Sequence, residues 1–205
     1  MSKAKSAPRT KPPAARREEL MNVAQHLFLK HGVSATTIEQ ITAGAGVAKG
    51  TFYLYFSSKD DVLAGLRDRY SQELLASIKK AVIENAADDW KGKLASWARA
   101  SVAGYRRSIQ LHDLVFLESR PPTQEGLFNN IIIDHLSGLL EGGLDAGAWS
   151  IDDHQLTAVF LFNGFHGVVE RVCAAKKRVN GNQLAQKVEQ LFFRAVGLPA
   201  DRPTP

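Results

Sequence analysis

Helical periodicity runs through almost the whole chain and limits its fold more than any other feature. From Arg16 onward, apolar residues recur at steps of three and four, the spacing of one buried helix face, and no segment alternates as a half-buried strand would. Glycine, proline and asparagine positions divide this pattern into segments. We therefore predict an all-α protein with helices over 16–31, 38–45, 47–55, 59–85, 89–108, 110–119, 124–146, 152–176 and 181–196.

The first three segments are short and closely spaced, as in a helix-turn-helix. Gly32 ends the first, Ser34 to Thr37 offer caps to the second, and Gly46 marks a tight turn before the third. Ser58 and Asp61 then form a capping-box-like start to a helix of about 26 residues, or about 39 Å. We predict a disordered basic arm over 1–13, a helix-turn-helix domain over 14–60 and a second helical domain over 61–205.

Charge is distributed unevenly along the chain. Residues 1–60 contain nine Lys and Arg against four Asp and Glu, whereas residues 61–205 contain seventeen of each. The whole net charge of +5 therefore lies in the N-terminal part. A basic segment of this size favours a polyanionic partner, and both nucleic acid and an anionic membrane surface fit that description.

Several classes of protein fit the sequence poorly. Cys173 is the only cysteine, which excludes an intramolecular disulfide and a cysteine-rich zinc site and suits a reducing cytoplasm. No signal peptide or membrane-spanning run is visible, so we expect a cytoplasmic protein with no membrane partner. The six histidines are dispersed without a metal-binding spacing, and no phosphate-binding loop occurs. We therefore expect no metal, no cofactor and no enzyme activity.

The ordered series AGVAKGTFYLYFSSKDDVL, residues 45–63, is the most specific motif in the chain. With the helix before it, the stretch from Arg16 to Leu63 resembles the DNA-binding domain of the TetR family of bacterial transcriptional regulators, over about a quarter of the chain. The residues that carry the resemblance are Ala24, Leu27, Phe28, Gly32, Thr37, Ile38, Ile41, Ala45, Gly46, Val47, Lys49, Gly50, Thr51, Tyr53, Tyr55, Phe56, Lys59 and Leu63.

A helix that reads the major groove buries one side and presents short polar or basic side chains on the other. Lys49 can donate a hydrogen bond to guanine, and Gly50 lets the helix approach the DNA closely. Thr51 can offer its hydroxyl to a phosphate or its methyl group to thymine. Tyr53, Tyr55 and Lys59 are expected phosphate anchors, although tyrosines in such a segment can also be core residues and lysines merely solvated. The complete set of expected DNA-binding residues is Thr37, Ala48, Lys49, Gly50, Thr51, Tyr53, Tyr55 and Lys59.

Two residues depart from the usual pattern of the family. Ala48 replaces the Ser or Thr that commonly caps the recognition helix, which removes a capping oxygen worth about 1 kcal/mol. Gly44, inside the second helix, costs about another 1 kcal/mol relative to alanine. We expect the fold to tolerate both.

The resemblance implies that the remaining helices bind an effector and form a homodimer through a four-helix bundle. Helices 152–176 and 181–196 carry apolar stripes compatible with that bundle. The candidate dimer residues are Phe160, Gly164, Val168, Val172, Val188, Leu191, Phe192 and Ala195. The candidate effector-binding residues, which include aromatics that would also suit an ordinary core, are Trp97, Tyr105, Phe116, Phe128, Phe162, Asn163 and His166.

The sequence thus favours a ligand-responsive repressor that binds a palindromic operator in double-stranded DNA as a homodimer and releases it on binding a small hydrophobic effector. A ligand-independent or activating DNA-binding regulator is the main alternative. A basic membrane-surface protein would explain the N-terminal arm but not the motif at residues 45–63.

Overall fold

The computed structural model describes residues 11–116, 130–174 and 180–199. Within these ranges every regular element is a helix, which confirms the predicted all-α class. In chain order the helices are α1 (Pro13–His31), α2 (Ile38–Gly44), α3 (Lys49–Tyr53), α4 (Lys59–Ile83), α5 (Trp90–Arg107), α6 (Ile109–Phe116), α7 (Ile131–Asp145), α8 (His154–Ala174) and α9 (Gly181–Ala195).

The described residues divide into two compact units. The first holds the residues up to Asp68 together with the segment that begins at Asp113, and the second holds Arg69–His112 and the described residues from Asn130 onward. Helix α4 begins in the first unit and continues into the second. None of the described helices is both long and apolar enough to cross a bilayer.

The first unit is built around the buried face of α1. Leu20, Ala24 and Phe28 on that helix are almost fully buried, as are Phe52 and Phe56 around α3. Helix α2 approaches α1 closely at its last residue, Gly44. A Cβ atom at Gly44 would lie 2.6 Å from Cγ1 of Val23, so the glycine that weakens α2 by propensity is needed for helix packing.

In the second unit, α5 packs against α9. The ring of Trp97 on α5 lies 5.7 Å from that of Phe192 on α9, centroid to centroid. Beside them, the Arg99 guanidinium donates to the carboxylate of Glu189 from Nε (2.5 Å) and from a terminal nitrogen (3.0 Å). Because Glu189 is buried, this two-point contact supplies the counter-charge that a buried carboxylate needs.

Several predicted helix ends differ from the observed ones. Helix α1 begins at Pro13 rather than Arg16, because proline suits a first helical position. Helix α7 does not extend back to residue 124. Asn130 has extended backbone, and its side chain accepts hydrogen bonds from the amides of Ile132 and Ile133, so it caps a helix that begins at Ile131. The predicted stretches 1–10, 117–119, 124–129 and 175–176, and residues 200–205 of the predicted second domain, lie outside the described residues.

Candidate functional site

A capping box fixes the start of α2. The side chain of Thr37 accepts a hydrogen bond from the Gln40 amide (3.2 Å), and the Gln40 side chain accepts one from the Thr37 amide (2.8 Å). This reciprocal pair satisfies two donors that the end of a helix otherwise leaves open. Thr37 is exposed at the N-terminus of α2, as its predicted phosphate contact requires, but its hydroxyl already has an intramolecular partner.

The turn between α2 and α3 is tight and needs a glycine. Gly46 has a φ of 64°, in the left-handed region that residues with a Cβ atom rarely adopt. Immediately after it, the Val47 amide donates to the Thr42 carbonyl at 3.0 Å. Ala48 then stands at the N-cap of α3 without a side-chain capping bond. The position of α3 therefore depends on this turn and on its own packing.

Helix α3 has one buried and one open side. Phe52 faces inward, with its ring centroid 5.7 Å from that of Phe56. Lys49, Gly50 and Tyr53 are exposed, and a Cβ atom at Gly50 would meet no atom within 4 Å. The structure therefore brings these three predicted residues together on an open surface, where no described residue lies close above the glycine. The exposed and half-exposed residues of this surface are Ala48, Lys49, Gly50, Thr51, Tyr53, Leu54 and Tyr55.

An ion pair that the sequence analysis missed lies on the same surface. Nζ of Lys49 is 2.5 Å from Oε1 of Glu39 in the first turn of α2. The hydrogen bond from Lys49 lowers the pKa of Glu39, and the bond to Glu39 raises the pKa of Lys49. The available signal in the sequence was an acidic residue, Glu39, two residues after Thr37 at the expected start of the second helix.

Lys59 makes intramolecular contacts that the sequence analysis did not predict. Its ammonium donates to the carbonyls of Val33 (2.6 Å), Thr36 (2.7 Å) and, at longer range, Ser34 (3.4 Å). Lysine has three N–H donors, and all three have backbone partners here. Lys59 therefore joins the start of α4 to the α1–α2 connection, and a phosphate contact would require it to leave these carbonyls.

The predicted effector residues lie in several environments. Trp97 is fully buried, and its indole N–H donates to Nδ1 of His135 at 3.2 Å. Asn163 is exposed and donates to the Val159 carbonyl. Phe116 belongs to the first unit, where its ring centre is 5.9 Å from the Arg67 guanidinium carbon. Phe128 lies outside the described residues.

Three of the predicted effector residues do come together, around His166. The Phe162 and Tyr105 ring centroids lie 4.3 and 6.2 Å from that of His166, and the His112 ring stacks on it at 5.5 Å. Burial lowers the pKa of His166 to about 4, so the ring is neutral at ordinary pH. The sequence analysis did not single out His112, which is also buried. The cluster combines flat apolar faces with the neutral imidazole of His166.

The predicted dimer residues divide into buried and exposed groups. Val188 and Phe192 are buried in the core of the second unit. Phe160 is 70% exposed and Leu191 47% exposed, although both are apolar. The exposed face of α8 also includes Leu156, which the sequence analysis missed although it stands one helical turn before Phe160. The other candidates are exposed (Gly164, Ala195) or half-buried (Val168, Val172).

Comparison with known proteins identifies related regulators. The family model described as "Bacterial regulatory proteins, tetR family" matches residues 20–66. The transcriptional repressor KstR2 of Rhodococcus jostii is 28% identical over 168 residues, which cover 74% of this chain and 80% of that protein. The uncharacterized transcriptional regulator YerO of Bacillus subtilis is 33% identical over 78 residues, 38% of this chain, and the match spans only a quarter of its length (25%).

A solved structure shows the same fold. The transcriptional regulator FadR of Bacillus subtilis, in complex with stearoyl-CoA, superposes with a TM-score of 0.70 at 22% identity. The match covers 87% of this chain and 98% of that one. The likeness therefore extends well beyond residues 20–66 into the second unit.

Proposed function

The chain belongs to the TetR family of bacterial regulatory proteins, and from this we propose that it is a ligand-responsive repressor that binds a palindromic operator as a homodimer. The observation that carries the proposal is the open side of α3, where Lys49, Gly50 and Tyr53 are exposed above a buried Phe52. In this proposal residues 14–60 bind DNA, and residues 61–205 bind the effector and the second subunit.

Contact with a base edge requires close approach and hydrogen-bonding groups. Gly50 leaves open space on α3. Lys49 next to it can donate hydrogen bonds to guanine O6 and N7. Tyr53, one turn further along, offers a hydroxyl to a phosphate and so sets the position of the helix without reading sequence. The basic N-terminal arm would add phosphate contacts, which make binding more sensitive to salt.

A homodimer would place two copies of α3 at successive turns of one groove face, about 34–36 Å apart. The exposed face of α8 supports this part of the proposal. Leu156, Val159 and Phe160 form an apolar strip there, and Leu156 shares a surface hollow with Ala195 of α9. Apolar side chains grouped on one face of a subunit are typical of a surface that a partner covers.

The effector would bind within the second unit. FadR of Bacillus subtilis holds stearoyl-CoA, and here the cluster of Tyr105, Phe162 and His166 offers apolar faces with neutral nitrogen atoms. We propose a small, mainly hydrophobic effector that binds a state of the protein with low affinity for DNA. To move the balance between the two states from 99:1 to 1:99, its affinities for them must differ by about 5.5 kcal/mol.

The test is footprinting of the DNA upstream of the protein's own gene, with fluorescence anisotropy on any protected fragment. Lys49→Met should weaken binding to that fragment about 10-fold, whereas Lys187→Met, which removes an exposed lysine of α9, should leave it unchanged. Both variants should melt at the wild-type temperature. Absence of protection, with no preference for any duplex over bulk competitor, would refute the proposal.

A further inference from the structure

We propose that Glu39 and Lys49 read one G·C base pair in each operator half-site as a unit. Lys49 donates to guanine O6 or N7, and the Glu39 carboxylate accepts a hydrogen bond from the amino group of the paired cytosine. The inference rests on the proposed function, because it assumes that the open side of α3 faces the major groove. It adds a specificity-determining residue from α2.

The two side chains are already placed side by side. Oε1 of Glu39 and Nζ of Lys49 are 2.5 Å apart, and both side chains are more than half exposed. Because the capping box of Thr37 and Gln40 fixes the start of α2, Glu39 stands in the first turn of that helix, with its carboxylate beside Lys49, the first residue of α3.

The chemistry of the pair matches one base-pair edge. A carboxylate only accepts hydrogen bonds, and an ammonium only donates them. In the major groove a G·C pair presents two acceptors, guanine N7 and O6, next to one donor, the cytosine amino group. The Glu39 carboxylate (acceptor) and the Lys49 ammonium (donor), held in contact, are therefore complementary to the cytosine amino group (donor) and the guanine oxygen or nitrogen (acceptor) on that edge. With Lys49 on guanine, the neighbouring donor for Glu39 is the cytosine amino group.

A carboxylate on a DNA-binding surface also weakens binding to DNA sequences that offer it no hydrogen-bond donor. The phosphates repel it, so Glu39 weakens binding to every sequence in which it finds no donor. Opposite an acceptor such as thymine O4 it would be both desolvated and unpaired, which penalises the wrong base. The ion pair itself is exposed and contributes little to stability, so either side chain can turn to DNA without loss of the fold. Glu39 thus lowers general affinity and raises selectivity.

The experiment is selection from randomised duplexes, followed by measured affinities for the selected site and its single-base variants. The proteins are wild type, Glu39→Gln, Glu39→Asp and Lys49→Met. Asp60→Asn is the matched control, because it removes the same charge from an exposed residue of the first unit that lies on neither α2 nor α3. Melting temperatures establish that each variant is folded.

Wild type should require cytosine at one position of each half-site. Glu39→Gln should reduce that preference about 10-fold, leave the other positions unchanged and strengthen binding to unrelated DNA. Glu39→Asp should also lose the preference, because the shorter carboxylate falls short of the base. Lys49→Met should lose the same preference, because the guanine that Lys49 contacts is paired with that cytosine.

Two results would overturn the inference, and they can be told apart. The control Asp60→Asn should keep the wild-type preference and bind all sequences slightly more tightly. If Glu39→Gln behaved in the same way, Glu39 would only repel the DNA backbone. The proposed function would then still stand. If wild type preferred no duplex at all, the proposed function and this inference would fail together.

Discussion

The exposed apolar face of α8 gives the sharpest quantitative prediction. Phe160 leaves 70% of its surface in contact with solvent, next to Leu156 at 66% and Val159 at 41%. If this face forms the homodimer, Phe160 is buried only on association. Replacement by alanine should then weaken the dimer without weakening the fold of the subunit.

The magnitude follows from the exposed area. A phenylalanine side chain presents about 200 Å², so 70% exposure leaves about 140 Å² for a partner to cover. At about 25 cal/mol per Å² its burial contributes about 3.5 kcal/mol, most of which Phe160→Ala removes. A two-fold symmetric dimer contains two copies. The dissociation constant should therefore rise at least about 100-fold, even when only half of this area is covered.

Sedimentation equilibrium over a range of concentrations measures this constant directly. Ile83→Ala is the matched control, because Ile83 is 81% exposed on α4 and no predicted interface includes it. Ile83→Ala should retain the wild-type constant. Both variants should keep the wild-type helix content in circular dichroism, which reports the fold of the subunit, whereas a weaker dimer by itself lowers the melting temperature. A Phe160→Ala protein that dimerises as tightly as wild type would exclude this face from the interface.

Three further predictions concern stability. Lys59→Met should cost about 1–3 kcal/mol in urea unfolding, because it leaves buried or half-buried carbonyls without their donor; a cost below about 0.5 kcal/mol would contradict the proposed link. The pKa of His166 is lowered by burial to about 4, so the unfolded chain binds its proton more readily. The free energy of unfolding is therefore unaffected by this group above about pH 6.5 and falls by about 3 kcal/mol as the pH drops to about 4. His166→Leu should remove this pH dependence, and an unchanged plot of unfolding free energy against pH would refute the lowered pKa of His166. Gly143→Ala should destabilise by about 1–3 kcal/mol in thermal unfolding, because its Cβ atom would overlap the Trp149 ring. Gly138→Ala, whose Cβ atom would meet no side chain of the described residues within 4 Å, should be neutral or stabilising, and equal effects of the two changes would contradict the packing argument.

Local features of the fold were predictable from the sequence because their causes are local. Thr37 and Gly46 set the start of α2 and the turn after it through their own side chain or backbone preference, and the structure shows both effects. Asn130 is also a local signal. The apolar periodicity of 124–146 concealed it, because a pattern of apolar residues does not show whether an asparagine within it caps a new helix.

The chemistry of the site was less predictable because it depends on pairs of residues from different helices. Lys59 was expected at a phosphate, but its partners are carbonyls 23 and 26 residues earlier in the chain. Lys49 was correctly singled out as an exposed residue, yet its partner Glu39 lies on α2. Composition and spacing identify the charged residues, whereas only the packing of α2, α3 and α4 decides which carbonyl or carboxylate each ammonium meets.

Helix α9 shows why an apolar stripe alone cannot identify an interface. Phe192 faces Trp97 in the core, whereas Leu191 beside it is half exposed. Phe192→Glu would place a carboxylate in that core and unfold the second unit, so its failure to dimerise would say nothing about the interface. Phe160→Glu adds the same charge on an exposed face, and the subunit should stay folded. A folded monomer from Phe160→Glu, checked by melting temperature and sedimentation, is therefore the result that separates assembly from stability, and a folded dimer would place the interface elsewhere.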